Sequence, residues 1–69
     1  MKTLTNRQRE VLLLVAKGRK NFEIAKELII TEHTVKAHLG ILYERLHANS
    51  RVQVTVNAMK KGIISLDEI

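Results

Sequence analysis

The chain contains no cysteine and no proline, and it has only three glycines, one tyrosine and one phenylalanine. Without cysteine it has no disulfide, no thiol nucleophile and no cysteine-ligated zinc site. So few aromatic residues also argue against the stacking platforms that hold single-stranded nucleic acid. Because proline is absent and glycine is scarce, little in the composition interrupts helices, and an all-α fold is favoured.

The sequence also lacks the long apolar runs of membrane proteins and secretory signals. No apolar stretch approaches the roughly 18 residues of a membrane span. The first ten residues turn polar too early for a signal peptide. We therefore expect a cytoplasmic protein with no membrane partner. Its 69 residues leave room for one small domain with a thin core, and residues 1–69 are predicted to be that single domain.

Acidic residues are outnumbered by basic ones. Twelve Lys and Arg against seven Asp and Glu give a net charge of +5. Such an excess favours an acidic partner such as nucleic acid, although this charge alone is weak evidence. Apolar residues make up 45% of the chain, which is enough for a core.

Helix signals divide the chain into four predicted helices, at about residues 6–17, 21–28, 32–46 and 51–61. Thr5 and Ser50 each stand three residues before a glutamine, as in a capping box. Thr31 is the predicted cap of the third helix, and Asn21 is the predicted cap of the second. Gly18 follows the first helix, where a left-handed residue commonly ends a helix.

The second and third predicted helices form a helix-turn-helix, in which a short helix, a tight connection and a longer helix follow one another. In the third helix, apolar residues recur at steps of four, three and four and define a core face: Val35, Leu39, Leu42 and Leu46. Its outer side begins with small or polar residues that suit an approach to bases in the major groove: Thr34, Lys36, Ala37 and His38. Spacing alone leaves open both DNA binding and a helical bundle with a solvated outer face.

Motifs spread over about residues 3–64 agree in order and spacing with a known family. They are Leu4-Thr5, Arg7-Gln-Arg-Glu10-Val-Leu12, Ala16-Lys-Gly18, Asn21-Phe-Glu23-Ile-Ala25, Leu28, Thr34-Val35-Lys36-Ala-His38, Leu46, Ser50-Arg51 and Lys61-Gly62-Ile63-Ile64. With these motifs the chain resembles the LuxR-type DNA-binding domain, which is shared by NarL/FixJ response regulators and quorum-sensing regulators.

The resemblance implies a four-helix domain whose third helix enters the major groove and whose fourth helix commonly pairs with a second copy. The positions that face bases in the family match Lys36, Ala37 and Gly40. The positions near the phosphate backbone match Thr34 and His38. The resemblance also implies that the start of the second helix, at Asn21, faces a phosphate, since a helix N-terminus offers free N–H groups and a positive dipole to an anion.

Several positions depart from the family pattern near the expected DNA surface. The family commonly has polar or basic residues where this chain has Phe22, Gly40, Ile41 and Glu44. Each departure removes polarity or positive charge. Arg19 and Lys20, just before the second helix, are expected to replace part of the lost polarity and positive charge. We therefore predict DNA binding with an unusual sequence preference.

The fourth predicted helix carries two apolar stripes, although a core needs only one. One stripe contains Val54 and Ala58. The other is the predicted interface of a homodimer on a palindromic site: Val52, Thr55, Val56 and Met59. Half-sites would then lie about one helical turn of DNA apart. In the alternative, the tail at residues 63–66 covers this second stripe.

No catalytic constellation is found, and the chain is predicted not to be an enzyme. Glu10 and Arg51 are expected to form an ion pair between the first and fourth helices. Ser50 is interpreted as a cap and not as a nucleophile. His33 and His38 are five residues apart, whereas a helical zinc motif uses four. We expect no metal and no cofactor.

The sequence thus predicts sequence-specific binding of double-stranded DNA by a bacterial transcription regulator. The rival hypothesis is an interaction module that keeps the fold and pairs through residues 51–61 with another regulator or with RNA polymerase. The family usually joins such an output domain to a receiver domain, as in two-component systems, or to a ligand-sensing domain. Both an excised domain and a complete single-domain regulator remain compatible with the sequence.

Overall fold

The computed structural model describes residues 4–69, which form four α-helices and a short 3-10 helix without any strand. The elements are α1 (Asn6–Ala16), α2 (Asn21–Leu28), α3 (Glu32–Arg45), α4 (Arg51–Lys60) and the 3-10 helix (Leu66–Glu68). The all-α prediction and all four predicted helix starts are confirmed. The ends of α1, α3 and α4 fall one residue earlier than predicted, because the last predicted residue of each is its C-cap.

The two predicted capping boxes differ in their second half. Thr5 Oγ1 accepts from the Gln8 N–H at 3.1 Å, and Gln8 Oε1 accepts from the Thr5 N–H at 3.0 Å, so the first box is confirmed. Ser50 Oγ likewise accepts from the Gln53 N–H at 3.1 Å. Gln53 Oε1, however, accepts from the Asn49 N–H at 2.8 Å, one residue before the cap. The reciprocal bond predicted at Ser50 is therefore wrong, since the Asn49 amide takes the glutamine oxygen.

The start of α2 corrects one predicted cap, whereas the start of α3 confirms another. The N-cap of α2 is Lys20, with extended backbone angles, and Asn21 is already the first helical residue. Asn21 is therefore not the cap, because it lies within the helix itself. Glu23 Oε1 accepts from the Lys20 N–H at 2.7 Å. At α3, Thr31 Oγ1 accepts from the Thr34 N–H at 3.1 Å, as predicted.

The hydrophobic core lies where the four helices meet. The predicted core face of α3 is confirmed, because its four members expose 6% or less of their surface: Val35, Leu39, Leu42 and Leu46. The other elements contribute Val11, Leu12, Leu14, Val15, Ile24, Ala25, Ala48, Val54, Ala58 and Ile64. This packing fixes α3 from within and leaves its opposite face at the surface.

Each of the three connections between the α-helices turns through a left-handed residue: Gly18, Ile29 and His47. Gly18 after α1 has a φ of +85°, as expected for a glycine that ends a helix. Ile29 ends α2 at a φ of 56°, and its side chain is 91% exposed. The Ile30 N–H then donates to the Ala25 carbonyl at 3.0 Å. A left-handed conformation costs an L-residue about 1–2 kcal/mol, so this turn between α2 and α3 is held under local strain.

The C-terminal tail, which the sequence pattern could not assign, is tied to α1. Arg9 donates to the Glu68 carboxylate across 59 residues of sequence. The Ser65 N–H donates to Glu68 Oε2 at 2.8 Å. The Arg9 hydrogen bond, followed by the bond from Ser65, holds the pKa of Glu68 below its ordinary value of 4.5. Within the part of the chain that the structure describes, no helix is both long and apolar enough to cross a membrane.

Candidate nucleic-acid interface

The outer face of α3 gathers the residues that the sequence assigned to DNA on this helix. Lys36, Ala37 and Gly40 are exposed, and Thr34 and His38 are partly buried beside them. They span seven residues, or about 10 Å along the helix axis at 1.5 Å per residue. Since the buried face of α3 sets its orientation, these positions form one accessible surface.

Thr34 and His38 differ in how their polar atoms are engaged. Thr34 Oγ1 lies 3.0 Å from Thr31 Oγ1, so the two hydroxyls share a hydrogen bond that either can donate. His38 Nδ1 is buried and has no hydrogen-bond partner among residues 4–69. The Nε2 atom of His38 is therefore the ring nitrogen left to meet a ligand.

Gly40, the last of these positions, leaves its place on the outer face of α3 without a side chain. A Cβ atom added at Gly40 would meet nothing within 4 Å, so packing does not require glycine here. Glycine inside a helix costs about 0.5–1 kcal/mol relative to alanine. Ile41 is 41% exposed, and Glu44 is also at the surface. The departures from the family pattern on α3 thus lie where a ligand of this face would meet them.

The start of α2 differs from the other helix starts in its capping hydrogen bonds, because it has no hydroxyl cap and the Glu23 carboxylate accepts from the Lys20 N–H at 2.7 Å. Thr5, Thr31 and Ser50 each place a hydroxyl oxygen on a first-turn amide of their helix. The α2 N-cap, Lys20, makes no such side-chain bond. The first N–H groups of a helix lack intrahelical partners and carry a partial positive charge. With the exposed lysine beside them, the amides at Asn21 suit an anionic ligand.

Arg51 links the first turn of α4 to the segment that leads into α2. Its Nη1 donates to the Arg19 carbonyl oxygen at 2.9 Å, and its Nη2 donates to Asn21 Oδ1. The expected ion pair with Glu10 is wrong, because Glu10 lies 3.9 Å from Arg7 on its own helix. Sequence reasoning missed the Arg51 link, since a backbone carbonyl acceptor about 30 residues away leaves no local pattern.

The two apolar stripes of α4 differ in burial, although Met59 of the outer stripe is partly buried and packs against the core. Val54 and Ala58 are fully buried, whereas Val52 is 74% exposed and Val56 is 40% exposed. Leu66 in the tail is itself 77% exposed. The alternative in which the tail covers the outer stripe is therefore wrong for Val52. The residues predicted to form a dimer interface all keep some accessible surface: Val52, Thr55, Val56 and Met59.

A groove of about 650 Å³ runs beside the outer stripe of α4, between this helix, α1 and the start of α2. Phe22, Val52 and Val56 form its exposed apolar wall. Lys20 and Arg51 line its polar side. The predicted partner surface and the start of α2 therefore adjoin each other.

The amino-acid sequence matches one described family over most of its length. Residues 2–58 match the family described as "Bacterial regulatory proteins, luxR family". The match includes α1, α2 and α3 and most of α4. The matched residues thus include both the outer face of α3 and Arg51 with its two acceptors.

Curated relatives match over most of this chain. The chain is 44% identical to the transcriptional regulatory protein YdfI of Bacillus subtilis over 64 residues, which is 93% of the chain and 30% of that relative. It is 46% identical to the putative HTH-type transcriptional regulator YhjB of Escherichia coli over 56 residues, 81% of the chain and 28% of the relative. It is 38% identical to the transcriptional regulatory protein LiaR of B. subtilis over 91% of the chain and 30% of the relative. The chain thus spans about 30% of the length of these relatives.

Proposed function

The chain belongs to the luxR family of bacterial regulatory proteins, and from this membership we propose that it binds double-stranded DNA sequence-specifically as one domain of a transcription regulator. The relatives named above are transcriptional regulators, and they support the general part of this proposal, regulation of transcription. We place the activity in the cytoplasm, where bacterial DNA lies.

The observation that carries the proposal is the contrast between the buried and exposed sides of α3. A helix that reads the major groove needs a fixed pose and an outer face that is small or polar. Val35, Leu39 and Leu42 supply the pose through their burial. Lys36 can donate to guanine acceptors, and Ala37 can contact a thymine methyl group.

Phosphate contacts would set the register of this helix on the duplex. The amides at the start of α2, together with Lys20, suit one phosphate group. Thr34 and the Nε2 atom of His38 flank the outer face of α3 and suit the backbone beside the bases. Because each neutralised phosphate releases counterions, affinity should fall steeply as salt rises.

We further propose that two copies pair through the outer stripe of α4. Val52 and Val56 are exposed apolar side chains on a small domain, which favours a partner surface. A two-fold pair would read two inverted half-sites about one helical turn apart. Each copy carries a net charge of +5. We therefore expect the pair to form mainly on DNA, where this charge is neutralised.

The test is selection of bound duplexes from a random-sequence pool, followed by fluorescence anisotropy at low and moderate salt. The proposal expects enrichment of an inverted repeat and weaker binding at higher salt. Gly40→Lys should strengthen binding to unselected DNA, because it adds a charge on the outer face of α3. Leu66→Lys is the matched control, since it adds the same charge on the C-terminal 3-10 helix. No binding at low salt, or equal gains in both variants, would contradict the proposal.

The rival function is an interaction module that pairs through α4 with another regulator or with RNA polymerase. The exposed Val52 and the reduced polarity at Gly40 and Ile41 favour it. Sedimentation of the wild type and of Val52→Lys separates the two functions. Tight self-association that Val52→Lys abolishes, in a chain that binds no DNA, would support the rival.

A further inference from the structure

Arg51 bonds to the residues on both sides of Lys20, the N-cap of α2. Its two acceptors, the Arg19 carbonyl and Asn21 Oδ1, stand on either side of Lys20 in the sequence. The Lys20 N–H is held separately by Glu23 Oε1 at 2.7 Å. The backbone of this cap residue is thus held from α4 and from within α2.

The end of α4 that carries Arg51 is itself well fixed. Ser50 Oγ caps the helix by accepting from the Gln53 N–H at 3.1 Å. Thr55 Oγ1 donates to the Arg51 carbonyl at 2.9 Å. Val52, the most exposed member of the outer stripe, follows Arg51 directly. The guanidinium therefore extends from the edge of the proposed dimer surface to the start of α2.

The bond to Arg51 also fixes how Asn21 presents its donors to a ligand. Its Oδ1 atom accepts from the guanidinium, which orients the side-chain amide. A phosphate at this helix start would accept from the Asn21 backbone N–H or from its Nδ2 group, and the direction of both depends on how Asn21 is held. A planar guanidinium can serve two acceptors at once, whereas a lysine ammonium is a single point charge on a flexible stem.

We infer that Arg51 is a positioning residue for the phosphate contact at the start of α2, and that it couples this contact to α4. The inference rests on the proposed function, because it assumes that the chain binds DNA. Arg51 acts here through the Arg19 carbonyl and the Asn21 side chain, and its charge alone is not enough. Loss of the link should weaken binding to every DNA sequence to the same extent, since phosphates carry no base identity.

The test compares Arg51→Lys with Arg7→Lys, a matched control that makes the same change in the Arg7–Glu10 pair on α1. Affinity is measured by anisotropy for a selected and an unselected duplex over a series of salt concentrations. We expect Arg51→Lys to weaken both affinities about three- to tenfold, the range of one net hydrogen bond. Arg7→Lys should leave both unchanged.

A second readout separates positioning from general stability. Amide hydrogen exchange in the free protein should speed up in Arg51→Lys at Ile24, whose N–H donates to the Lys20 carbonyl at 3.0 Å, and stay unchanged at Leu39 in the core. Uniformly faster exchange along the chain would mean that Arg51 is merely structural and would overturn the inference. Asn21→Ala removes one acceptor without touching α4. If Arg51 acts through Asn21, Arg51→Lys should cost less in that background than in the wild type.

The outcomes distinguish the two proposals. A wild-type chain that binds no DNA at low salt overturns both the proposed function and this inference. If the wild type binds DNA and Arg51→Lys binds equally well, only the inference is overturned. A positive charge at position 51 is then sufficient for binding. Additive losses in the double variant with Asn21→Ala would likewise overturn it. Should Arg51→Lys fail to fold, Asn21→Ala must both weaken binding to the two duplexes equally and speed up exchange at Ile24 in the free protein for the inference to stand.

Discussion

The inner and outer faces of α3 lie on the same helix but are constrained to very different degrees. On the inner face, Val35 and Leu42 are fully buried within the core. On the outer face, Lys36 and Ala37 are exposed, and a Cβ atom at Gly40 would meet nothing within 4 Å. Packing thus decides the residues on one side and leaves the other side free. The outer residues are therefore not determined by packing, which leaves them free for the ligand role that we propose.

The largest expected effect comes from opening a cavity on the inner face. Leu42→Ala should lower the free energy of unfolding by about 2–5 kcal/mol, because it removes packed methyl groups from a fully buried site. The matched control is Ile41→Ala on the outer side, which should cost within about 0.5 kcal/mol. Urea denaturation measures both. Equal losses in the two variants would remove the distinction between the faces.

The next largest effect is expected on DNA affinity. Lys36→Ala should weaken binding to a selected site by about 1–3 kcal/mol if the lysine donates to a base, with little change in the free energy of unfolding. Lys60→Ala, on neither α2 nor α3, is the control. Anisotropy with selected and unselected duplexes checks this. A small, equal loss on every duplex would instead assign Lys36 to a phosphate.

Two glycines provide a smaller test with opposite signs. Gly40→Ala should raise the free energy of unfolding by about 0.5–1 kcal/mol, because the site is helical and open. Gly18→Ala should lower it by about 1–2 kcal/mol, because a φ of +85° is strained for alanine. Thermal unfolding of both variants measures these changes in the free energy of unfolding. Destabilisation by Gly40→Ala would mean that the outer face of α3 is more constrained than its open space indicates.

The smallest effect is expected from the Arg9–Glu68 pair, which compares an exposed charge contact with the packing of the inner face. The folded-state pKa of Glu68 is lowered, so the pair stabilises the fold above about pH 4.5. That contribution is lost as pH falls through the lowered pKa. Glu68→Gln should therefore unfold at less urea than the wild type near neutral pH. The two should converge in strong acid, and a gap that persists there would contradict this assignment.

The helices and the buried face of α3 could be predicted because their signals are local. Hydroxyl caps such as Thr5 and the four-three-four spacing that contains Leu39 and Leu42 depend on neighbours within a turn or two. The Asn21 cap was wrong by one residue, since many polar residues can precede a helix and the backbone decides where it begins.

The links between helices could not be predicted in the same way. The sequence predicts that Arg51 pairs with Glu10, yet the partners of Arg51 are a carbonyl and an amide oxygen at the start of α2. A charged side chain on a surface helix has several acceptors within reach, and only the packing of the helices selects among them. The two stripes of α4 were likewise visible in the sequence, but only the fold identified Val54 as the buried one.

The most direct test of the central claim is an NMR titration of the isotope-labelled chain with short random-sequence duplexes at low and moderate salt. The proposed interface predicts shifts centred on Asn21 and on residues 34–40, and these shifts should fade as salt rises. Absence of shifts at low salt, with concentration-dependent broadening along α4, would contradict DNA binding through α3 and support the interaction module.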